Sequence, residues 1–332
     1  MKQVVLGLSG GVDSAVAARL LQADGWTVRG LFMDLGAAQA RADAVSTAAA
    51  LGVTLEIVDV REALEAAVCS PFAAAYLRGE TPNPCVLCNP AVKFALLCDF
   101  ADRLGASMIA TGHYARSIDG GLYRATTMKD QSYMLCRLMR AQLDRLLLPL
   151  GTLDKPAVRA LAAQYGLAAA NRPDSMEICF IPDNDYPRWL SERGPLPGPG
   201  DFLREGVVVG RHAGIHRFTV GQRIPGVYDG EKLYVLRIDP ETNCIEVGPD
   251  AALWKTDFTA RDFRWLMDPP AGPVRGSVKV RHTKTGEAPC EAHPQPDGSV
   301  RFVCESPVRA PAPGQTAALY QGERVLGGGF IV

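Results

Sequence analysis

The sequence lacks any apolar run approaching the roughly 18 to 20 residues that span a bilayer. Its first residues, MKQVVL, lack the regions that make up a secretory signal peptide. The chain also lacks an excess of charge, because 35 basic and 36 acidic side chains leave a net charge of −1. These absences predict a cytoplasmic protein without a membrane partner, in which any polyanion must meet a local basic surface.

Two further motifs are absent. The pattern GxxxxGK[ST] does not occur, which argues against a standard P-loop NTPase. The sequence contains a single Cys-x-x-Cys pair, whereas a structural zinc site is usually built from two such pairs. The nine cysteines, without a secretion signal, therefore favour thiols or ligands of another kind over a disulfide framework.

What is present is ordinary globular sequence, with 332 residues, 47% hydrophobic and 21% charged, enough for two or three domains. Buried strands alternate with helical patterns in the first part, which predicts a parallel sheet covered on both faces. The expected strands are 3–8, 27–33, 55–60 and 107–110, and the expected helices are 12–21, 44–51, 61–77 and 92–104. Between them, residues 78–91 contain three prolines and no periodicity, so we expect a loop.

The character of the chain changes after a Gly- and Pro-rich stretch at 193–200. Short strands then dominate, at 206–209, 217–220, 232–238 and 244–247, and later at 274–281, 300–304, 316–320 and 325–331. We therefore expect an α/β domain at 1–190, a small β-rich central domain at 191–252 and a C-terminal antiparallel β-barrel at 253–332.

The strongest chemical signal stands between the first strand and the first helix. Its glycines can aim successive N–H groups at one anion, and the helix adds its positive end. Phosphate is the natural ligand of such a loop. The residues are Gly7, Leu8, Ser9, Gly10, Gly11, Val12, Asp13 and Ser14.

The run from Ser9 to Ser14 resembles the signature of the PP-loop ATP pyrophosphatases, whose domain has the fold of the adenine nucleotide alpha hydrolases. The resemblance implies that the loop holds the pyrophosphate part of ATP while a substrate oxygen attacks the α-phosphate. It also implies Mg²⁺, with Asp13 as a partner, and an adenine pocket near Met33 at the carboxyl edge of the sheet.

A second signal is the pair Cys85 and Cys88 in the Pro-rich segment, with Cys179 further along. Two thiols three residues apart suit a redox pair, a sulfur carrier or a metal. Beside an ATP-splitting motif they favour sulfur transfer, because an adenylated oxygen needs a nucleophile and a persulfide is a good one.

Together the motifs resemble one family, the tRNA-specific 2-thiouridylases, which replace O2 of the wobble uridine of tRNA with sulfur. The similarity runs almost from end to end. The blocks that carry it are 9–14, 81–89, 111–115, 129–133, 173–182, 210–214, 219–223 and 314–315.

The resemblance implies a role for each matching residue. Cys88 is then the nucleophile, Cys179 receives persulfide sulfur from a donor protein, and Gly112 touches ATP. Residues Asn83, Pro84 and Cys85 would surround the target base. The expected tRNA contacts are His113, Lys129, Asp130, Gln131, Arg281, His282 and Gln315.

The chain departs from the family pattern at Cys85, where many members carry an acidic residue. A third thiol beside Cys88 and Cys179 gives the number of ligands that hold a [4Fe–4S] cluster with one open iron, which is an alternative sulfur carrier. Two other functions stay open, a PP-loop ligase or amidotransferase for a small molecule and a non-enzymatic zinc- or RNA-binding protein.

The segment 275–284 has four basic residues and no acidic one. On an alternating strand Lys279 and Arg281 would face away from Val278 and Val280. We therefore expect a stripe that faces RNA phosphates there.

Overall fold

The computed structural model describes residues 2–171, 178–228, 230–281 and 287–332. The chain divides into two compact units, each built from more than one stretch of sequence. The first comprises residues 1–67, 85–176 and 323–326, and the second comprises 68–84, 177–322 and 327–332.

A five-stranded parallel sheet forms the centre of the first unit, with the order β3-β2-β1-β4-β7. The strands β1, β2 and β4 are largely apolar and buried, whereas the edge strand β3 is mostly exposed. The chain turns to opposite sides of β1 to form β2 and β4, which opens a crevice at their carboxyl ends. The strands are β1 (Gln3–Gly7), β2 (Thr27–Asp34), β3 (Thr54–Asp59), β4 (Met108–Ala110) and β7 (Leu146–Leu147).

Helices pack on this sheet, and four successive residues of the first one (Ala15, Val16, Ala17, Ala18) are fully buried in a core shared with the sheet and neighbouring helices. The helices of this unit are α1 (Val12–Ala23), α2 (Ala38–Leu51), α3 (Arg61–Leu64), α5 (Pro84–Cys88), α6 (Phe94–Leu104), α7 (Arg140–Leu143) and α8 (Lys155–Gln164). A hairpin of β5 (Ala115–Ile118) and β6 (Gly121–Arg124), which the sequence did not indicate, follows β4.

The expected loop at 78–91 is wrong in its second half. The chain is helical from Pro84, through a π-helical turn at Asn89–Lys93, to Leu104. Proline is well suited to the first position of a helix, so Pro84 starts α5 rather than preventing it. The wide turn accommodates Pro90, whose carbonyl accepts a hydrogen bond from Gln142 Nε2 at 2.8 Å.

The same segment, 21 residues from Pro84 to Leu104, is long and apolar enough to cross a membrane by length and composition alone. Half of its most apolar window is buried inside the protein, and a core helix passes the same test. It is weak evidence for a membrane segment.

The second unit begins with α4 (Ser70–Leu77) and contains α9 (Tyr186–Ser191) and a mixed sheet in the order β10-β11-β12-β8-β9. The expected strand at 217–220 is wrong, because Ile215–Arg217 is a 3₁₀ turn whose Ile215 enters the core. The strands are β8 (Gly200–Arg204), β9 (Val207–His212), β10 (Arg223–Tyr228), β11 (Lys232–Asp239) and β12 (Cys244–Gly248).

The chain ends in an antiparallel barrel that is closed by pairing of its first strand with its last. This confirms the expected fold class, although the sequence did not indicate β13 or β15. The strands are β13 (Trp254–Trp265), β14 (Val274–Lys279), β15 (Glu287–Pro294), β16 (Val300–Arg309), β17 (Thr316–Gln321) and β18 (Arg324–Ile331).

Candidate functional site

The loop after β1 is shaped by Gly10, which has a φ of +80°. A Cβ there would lie 2.7 Å from the backbone nitrogen of Ala44 in α2, so no other residue fits without moving the helix. Thr47 of the same helix donates to the Gly10 carbonyl at 3.3 Å. The close approach of α2 therefore explains why this position is glycine.

The hydroxyl groups of Ser9 and Ser14 lie 3.2 Å apart and close the loop. Ser14 Oγ donates to the Gly11 carbonyl at 3.0 Å and accepts from the Ser9 amide at 3.2 Å. Gly11 is the N-cap of α1 and contributes no side-chain cap, so the helix begins without a side-chain oxygen over its first turn. This is the geometry of an anion site, with the helix dipole directed at the loop.

Asp13 lies in the first turn of α1, and both of its carboxylate oxygens are engaged. Lys155 Nζ lies 2.8 Å and 2.9 Å from them, and the Tyr114 hydroxyl donates to one at 2.6 Å. Lys155 begins α8, where a cation is unfavourable to the helix dipole, so its pairing with Asp13 compensates a local cost. The sequence did not identify Lys155, which is 142 residues away along the chain.

This pairing bears on Mg²⁺. A carboxylate that already binds an ammonium and a phenol has little capacity left as a metal ligand, so Asp13 does not fit that role in this arrangement. In the described part of the chain, no set of three or more His, Cys, Asp and Glu side chains is arranged to hold a metal ion.

Gly112 follows β4 and packs on the start of α1. A Cβ there would lie 3.0 Å from the Asp13 carbonyl carbon and 3.0 Å from the Ser14 nitrogen. Met33 is half-buried near the carboxyl end of β2, whereas Leu31 and Phe32 belong to the core. The structure thus brings Gly112 to the loop and places Met33 at the sheet edge expected for adenine.

His113 is held in one orientation by its neighbours. Thr111 Oγ1 and His113 Nδ1 are 2.8 Å apart, and the ring stacks on Phe94 with a centroid distance of 5.9 Å. Burial lowers the pKa of His113 well below its usual value, and the Lys93 ammonium lowers it further. The imidazole is therefore neutral at pH 7, and its protonation is disfavoured.

The block 129–131 is tied into the first unit. Asp130 accepts from the backbone nitrogens of Ala125 and Ser132, at 3.0 Å and 3.1 Å. Gln131 Oε1 accepts from the Tyr114 nitrogen at 2.9 Å. Lys129 is half-exposed. Contact of these three residues with tRNA stays a prediction, and the structure gives Asp130 and Gln131 roles within the protein.

Cys85 and Cys88 lie one turn apart on α5, so their side chains share a helix face. Desolvation by the surrounding chain raises the pKa of the Cys85 thiol, and the Lys93 charge lowers it by less. Cys85 is nonetheless exposed and Cys88 half-buried. Cys85 is therefore a neutral, reachable thiol at pH 7 and cannot replace a carboxylate base.

Cys179, in the second unit, is exposed on a turn that an aromatic cluster supports. Its neighbour Phe180 packs edge-on against Phe72 of α4 at 5.4 Å and lies 5.2 Å from Trp189 of α9. The cluster fixes the chain beside the thiol and leaves the thiol reachable. Residues 173–177 of the same block lie outside the described residues.

The expected alternation in this barrel strand is wrong at Lys279, whereas contact of Arg281 and His282 with tRNA stays a prediction. Lys279 is buried, as are both of its neighbours, Val278 and Val280. Arg281 Nη2 donates to the Ala310 carbonyl at 3.1 Å, so it ties two segments of the barrel end together. Arg275 is exposed, and His282 lies outside the described residues. The alternation fails because both faces of the strand end are covered.

The barrel also brings together two cysteines that sequence spacing did not connect. Cys290 on β15 is directly opposite Cys304 on β16. Burial raises their pKa values to about 12 and about 11, so both are neutral thiols of the core.

Asn83 and Pro84, expected near the target base, belong to the second unit, as does Gln315. Gln315 Nε2 donates to the carbonyl of Thr81 at 2.9 Å, two residues before Asn83. Gln315 is therefore bonded to the same short segment that contains Asn83 and Pro84.

Three family models match the chain. They are the tRNA methyl transferase HUP domain over residues 2–183, the PRC-barrel domain over 192–249 and the aminomethyltransferase beta-barrel domain over 255–331. The first alone covers more than half of the chain.

Curated relatives match over the full length. A tRNA-specific 2-thiouridylase MnmA of Chloroflexus aurantiacus is 43% identical, with 100% of this chain and 98% of the relative covered. That of Trichlorobacter lovleyi is 39% identical, with the same coverage. A 4-thiouridine synthetase–RNA complex with bound ATP has a TM-score of 0.39 and 18% identity over 58% of this chain and 50% of that chain, and the assignment does not depend on it. Because these relatives are about 40% identical over the full length, the chain belongs to the tRNA-specific 2-thiouridylase family. The members of this family are sulfurtransferases that act on tRNA uridine.

Proposed function

We propose that this chain thiolates the wobble uridine of tRNA at position 2 in an ATP-dependent reaction. The observation that carries the proposal is the loop Gly7–Ser14, which is closed by Ser9 and Ser14 at an uncapped helix start. An anion-binding loop at the carboxyl end of the central strand supports ATP as a substrate.

The first step is adenylation. Uridine O2 attacks the α-phosphate of ATP, the bond to the β-phosphate breaks, and pyrophosphate leaves. Backbone N–H groups at the start of α1 would stabilise charge on the phosphate oxygens, and Lys155 keeps Asp13 from repelling them. The oxygen at C2, a poor leaving group by itself, can then leave as part of AMP.

The second step is sulfur transfer. The terminal sulfur of a persulfide on Cys179 attacks C2 and displaces AMP, which leaves C2 joined to Cys179 through a disulfide. The Cys88 thiolate attacks the Cys179 sulfur, releases the thiocarbonyl, and forms a Cys88–Cys179 disulfide. An external thiol reductant restores both cysteines, and a persulfide donor protein reloads Cys179.

We also propose the division into an ATP-binding catalytic domain (1–190), a central domain (191–252) and a tRNA-binding barrel (253–332). A cytoplasmic location stays a prediction. A [4Fe–4S] cluster on Cys85, Cys88 and Cys179 is the alternative sulfur carrier.

The deciding experiment measures pyrophosphate released from ATP by purified protein with and without uridine-containing tRNA, followed by mass spectrometry of the digested tRNA. We expect release that depends on tRNA and a wobble uridine in which sulfur has replaced oxygen. Release that depends on a small carboxylate or amine instead of tRNA would identify a ligase or amidotransferase.

A further inference from the structure

The segment Gly79–Pro84 in the second unit is held at its start by contacts from two separate parts of that unit. Thr81 is the centre of these contacts. Its amide donates to the Pro313 carbonyl at 2.8 Å, its carbonyl accepts from Gln315 at 2.9 Å, and its hydroxyl lies 3.0 Å from that of Thr219. The amide, the carbonyl and the hydroxyl of Thr81 thus all take part in hydrogen bonds.

Glu80 adds an ion pair to the same attachment. Its carboxylate lies 3.0 Å from Arg261 of β13 and 2.8 Å from Arg78, and its side chain is 19% exposed. The Arg261 side chain is 42% exposed, so solvent and salt screen this pair in part. Arg261 thereby fixes the chain one residue before Thr81.

Gly314 shows how closely the two segments approach. Its φ is +83°, and a Cβ there would lie 2.8 Å from the Glu80 Cβ and 2.9 Å from the Thr81 nitrogen. Both the backbone conformation and the space exclude a side chain. The barrel end at Pro313–Gln315 is therefore shaped around Glu80 and Thr81.

The residues after Thr81 transmit this position. Pro82 and Pro84 have fixed φ angles, and each restricts the residue before it, so Thr81, Asn83 and the prolines have little rotational freedom. Pro84 then starts helix α5. A displacement of Thr81 consequently moves Asn83 and Pro84, which the family resemblance places near the target base.

We propose that Thr219 and Arg261 are positioning residues for thiolation, which hold the Thr81 and Glu80 end of the segment so that Asn83 and Pro84 meet the uridine. Gln315 belongs to the same attachment, which we name the Thr81 clamp (Glu80, Thr81, Thr219, Arg261, Pro313–Gln315). The inference rests on the proposed function. It assigns to the barrel and the central domain a part in the adenylation step in addition to tRNA binding.

The test uses the full-length variants Thr219→Val, Arg261→Ala and their combination. Thr219→Ser and Arg261→Lys keep the hydroxyl and the charge and serve as rescue variants. Thr256→Val and Arg301→Ala are matched controls, because Thr256 is an exposed strand residue and Arg301 makes an exposed ion pair with Asp257 in the same barrel. Gln315 is not varied, since tRNA contact is also expected of it.

Two quantities are measured. Amide hydrogen exchange of the peptide that contains Gly79–Asn83 reports the clamp directly, and steady-state kinetics report tRNA-dependent pyrophosphate release. We expect faster exchange in that peptide and a kcat reduced roughly tenfold in each single variant, with KM for tRNA nearly unchanged, because a small misplacement of reacting groups is costly. The rescue and control variants should behave as wild type.

Unchanged exchange in the combined variant would overturn the attachment, and faster exchange with wild-type kcat would overturn its catalytic importance. A change in KM alone would overturn the positioning role in favour of tRNA binding. A wild-type protein without tRNA-dependent pyrophosphate release would refute the proposed function itself, and the exchange measurement would still report the clamp.

Discussion

Lys155 Nζ lies within 2.9 Å of both carboxylate oxygens of Asp13, which makes Asp13 the partner of a cation rather than an isolated anion beside a phosphate loop. The Lys155 side chain is 14% exposed and the Asp13 side chain 33% exposed. The pair therefore neutralises a carboxylate that would otherwise repel the polyphosphate of ATP.

Lys155→Ala should weaken the binding of ATP. We expect the KM for ATP to rise on the order of tenfold, which corresponds to about 1.4 kcal/mol of binding free energy. Binding of tRNA should stay at wild-type strength, because the pair lies in the anion loop. Pyrophosphate release over a range of ATP concentrations measures the effect. Arg140→Ala, which removes an exposed ion pair with Asp144, is the control. An unchanged KM for ATP would contradict this role of Lys155.

Asp13→Ala and Ser9→Ala should also lower turnover, since Ser9 closes the loop and Asp13 anchors α1 to Lys155 and Tyr114. Tritium- or fluorescence-labelled tRNA should bind both variants with nearly unchanged affinity. If adenylation proceeds at the wild-type rate in both, the loop is not the ATP site.

The parallel sheet and the anion loop could be predicted from sequence because their signals are local. An apolar run followed by glycines and a helical pattern defines β1, the loop and α1 within about one βαβ unit. The pairing of Lys155 with Asp13 could not be predicted, because no pattern in the sequence around Lys155 indicates that the two residues are close in the fold. The same holds for Thr219 and Arg261, whose contacts with Thr81 and Glu80 are purely tertiary.

Prolines account for the largest error in the secondary structure. Pro84 and Pro90 indicated a loop, whereas Pro84 occupies a helix start and Pro90 lies in a π-helical turn. A second error came from alternation in 275–281, where Lys279 is buried rather than exposed. Local patterns do not reveal what covers the other face of a strand.

Cys88→Ser and Cys179→Ser should each abolish thiolation, because a hydroxyl group neither carries sulfane sulfur nor attacks a disulfide. Pyrophosphate release should persist in both variants, since adenylation precedes sulfur transfer. Cys244→Ser, a change at a half-buried thiol of the central sheet, is the control. Thiolated tRNA formed by either variant at near the wild-type rate would place the sulfur path elsewhere.

The central domain should lose stability as the pH falls. Burial lowers the pKa values of His212 and His216 below the usual 6.5. The Asn243 backbone and Asp201 raise the pKa of His212 by less, and Arg211 lowers it. Arg217 and His212 lower the pKa of His216 further. As the pH falls, the unfolded chain therefore binds protons at a higher pH than the folded chain does. Stability present above pH 6.5 is lost as the pH falls through the unfolded and then the folded pKa values.

Urea unfolding between pH 7.5 and pH 5, followed for wild type and His216→Leu, tests this expectation; these pH limits span about one unit or more on either side of the ordinary histidine pKa. Among the described residues, neither ring nitrogen of His216 has a hydrogen-bond partner, so an apolar replacement should reduce the pH dependence without a large loss at neutral pH. Equal pH dependence in the two proteins would exclude His216 as a contributor.

The last prediction concerns Cys85, where the persulfide relay and the [4Fe–4S] cluster give opposite results. In the relay only Cys88 and Cys179 need to be thiols, and Cys85 contributes no ionised group at neutral pH because desolvation raises its pKa. Cys85→Asp would place a carboxylate near Lys93, as in the more familiar form of the loop. We expect activity to be kept or raised, with a persulfide as sulfur source.

In the cluster mechanism the same change removes one of three cysteine ligands, so iron absorbance and sulfide-dependent activity would collapse together. The protein is therefore purified without oxygen, its iron and acid-labile sulfide are measured per chain, and wild type and Cys85→Asp are assayed with each sulfur source. Cys85→Ser is the matched control, since it removes the thiol without supplying a carboxylate. An iron-free wild type with an active Cys85→Asp variant supports the relay, because no step of it passes through the thiol at position 85. Stoichiometric iron with an inactive Cys85→Asp variant would refute the relay for this chain.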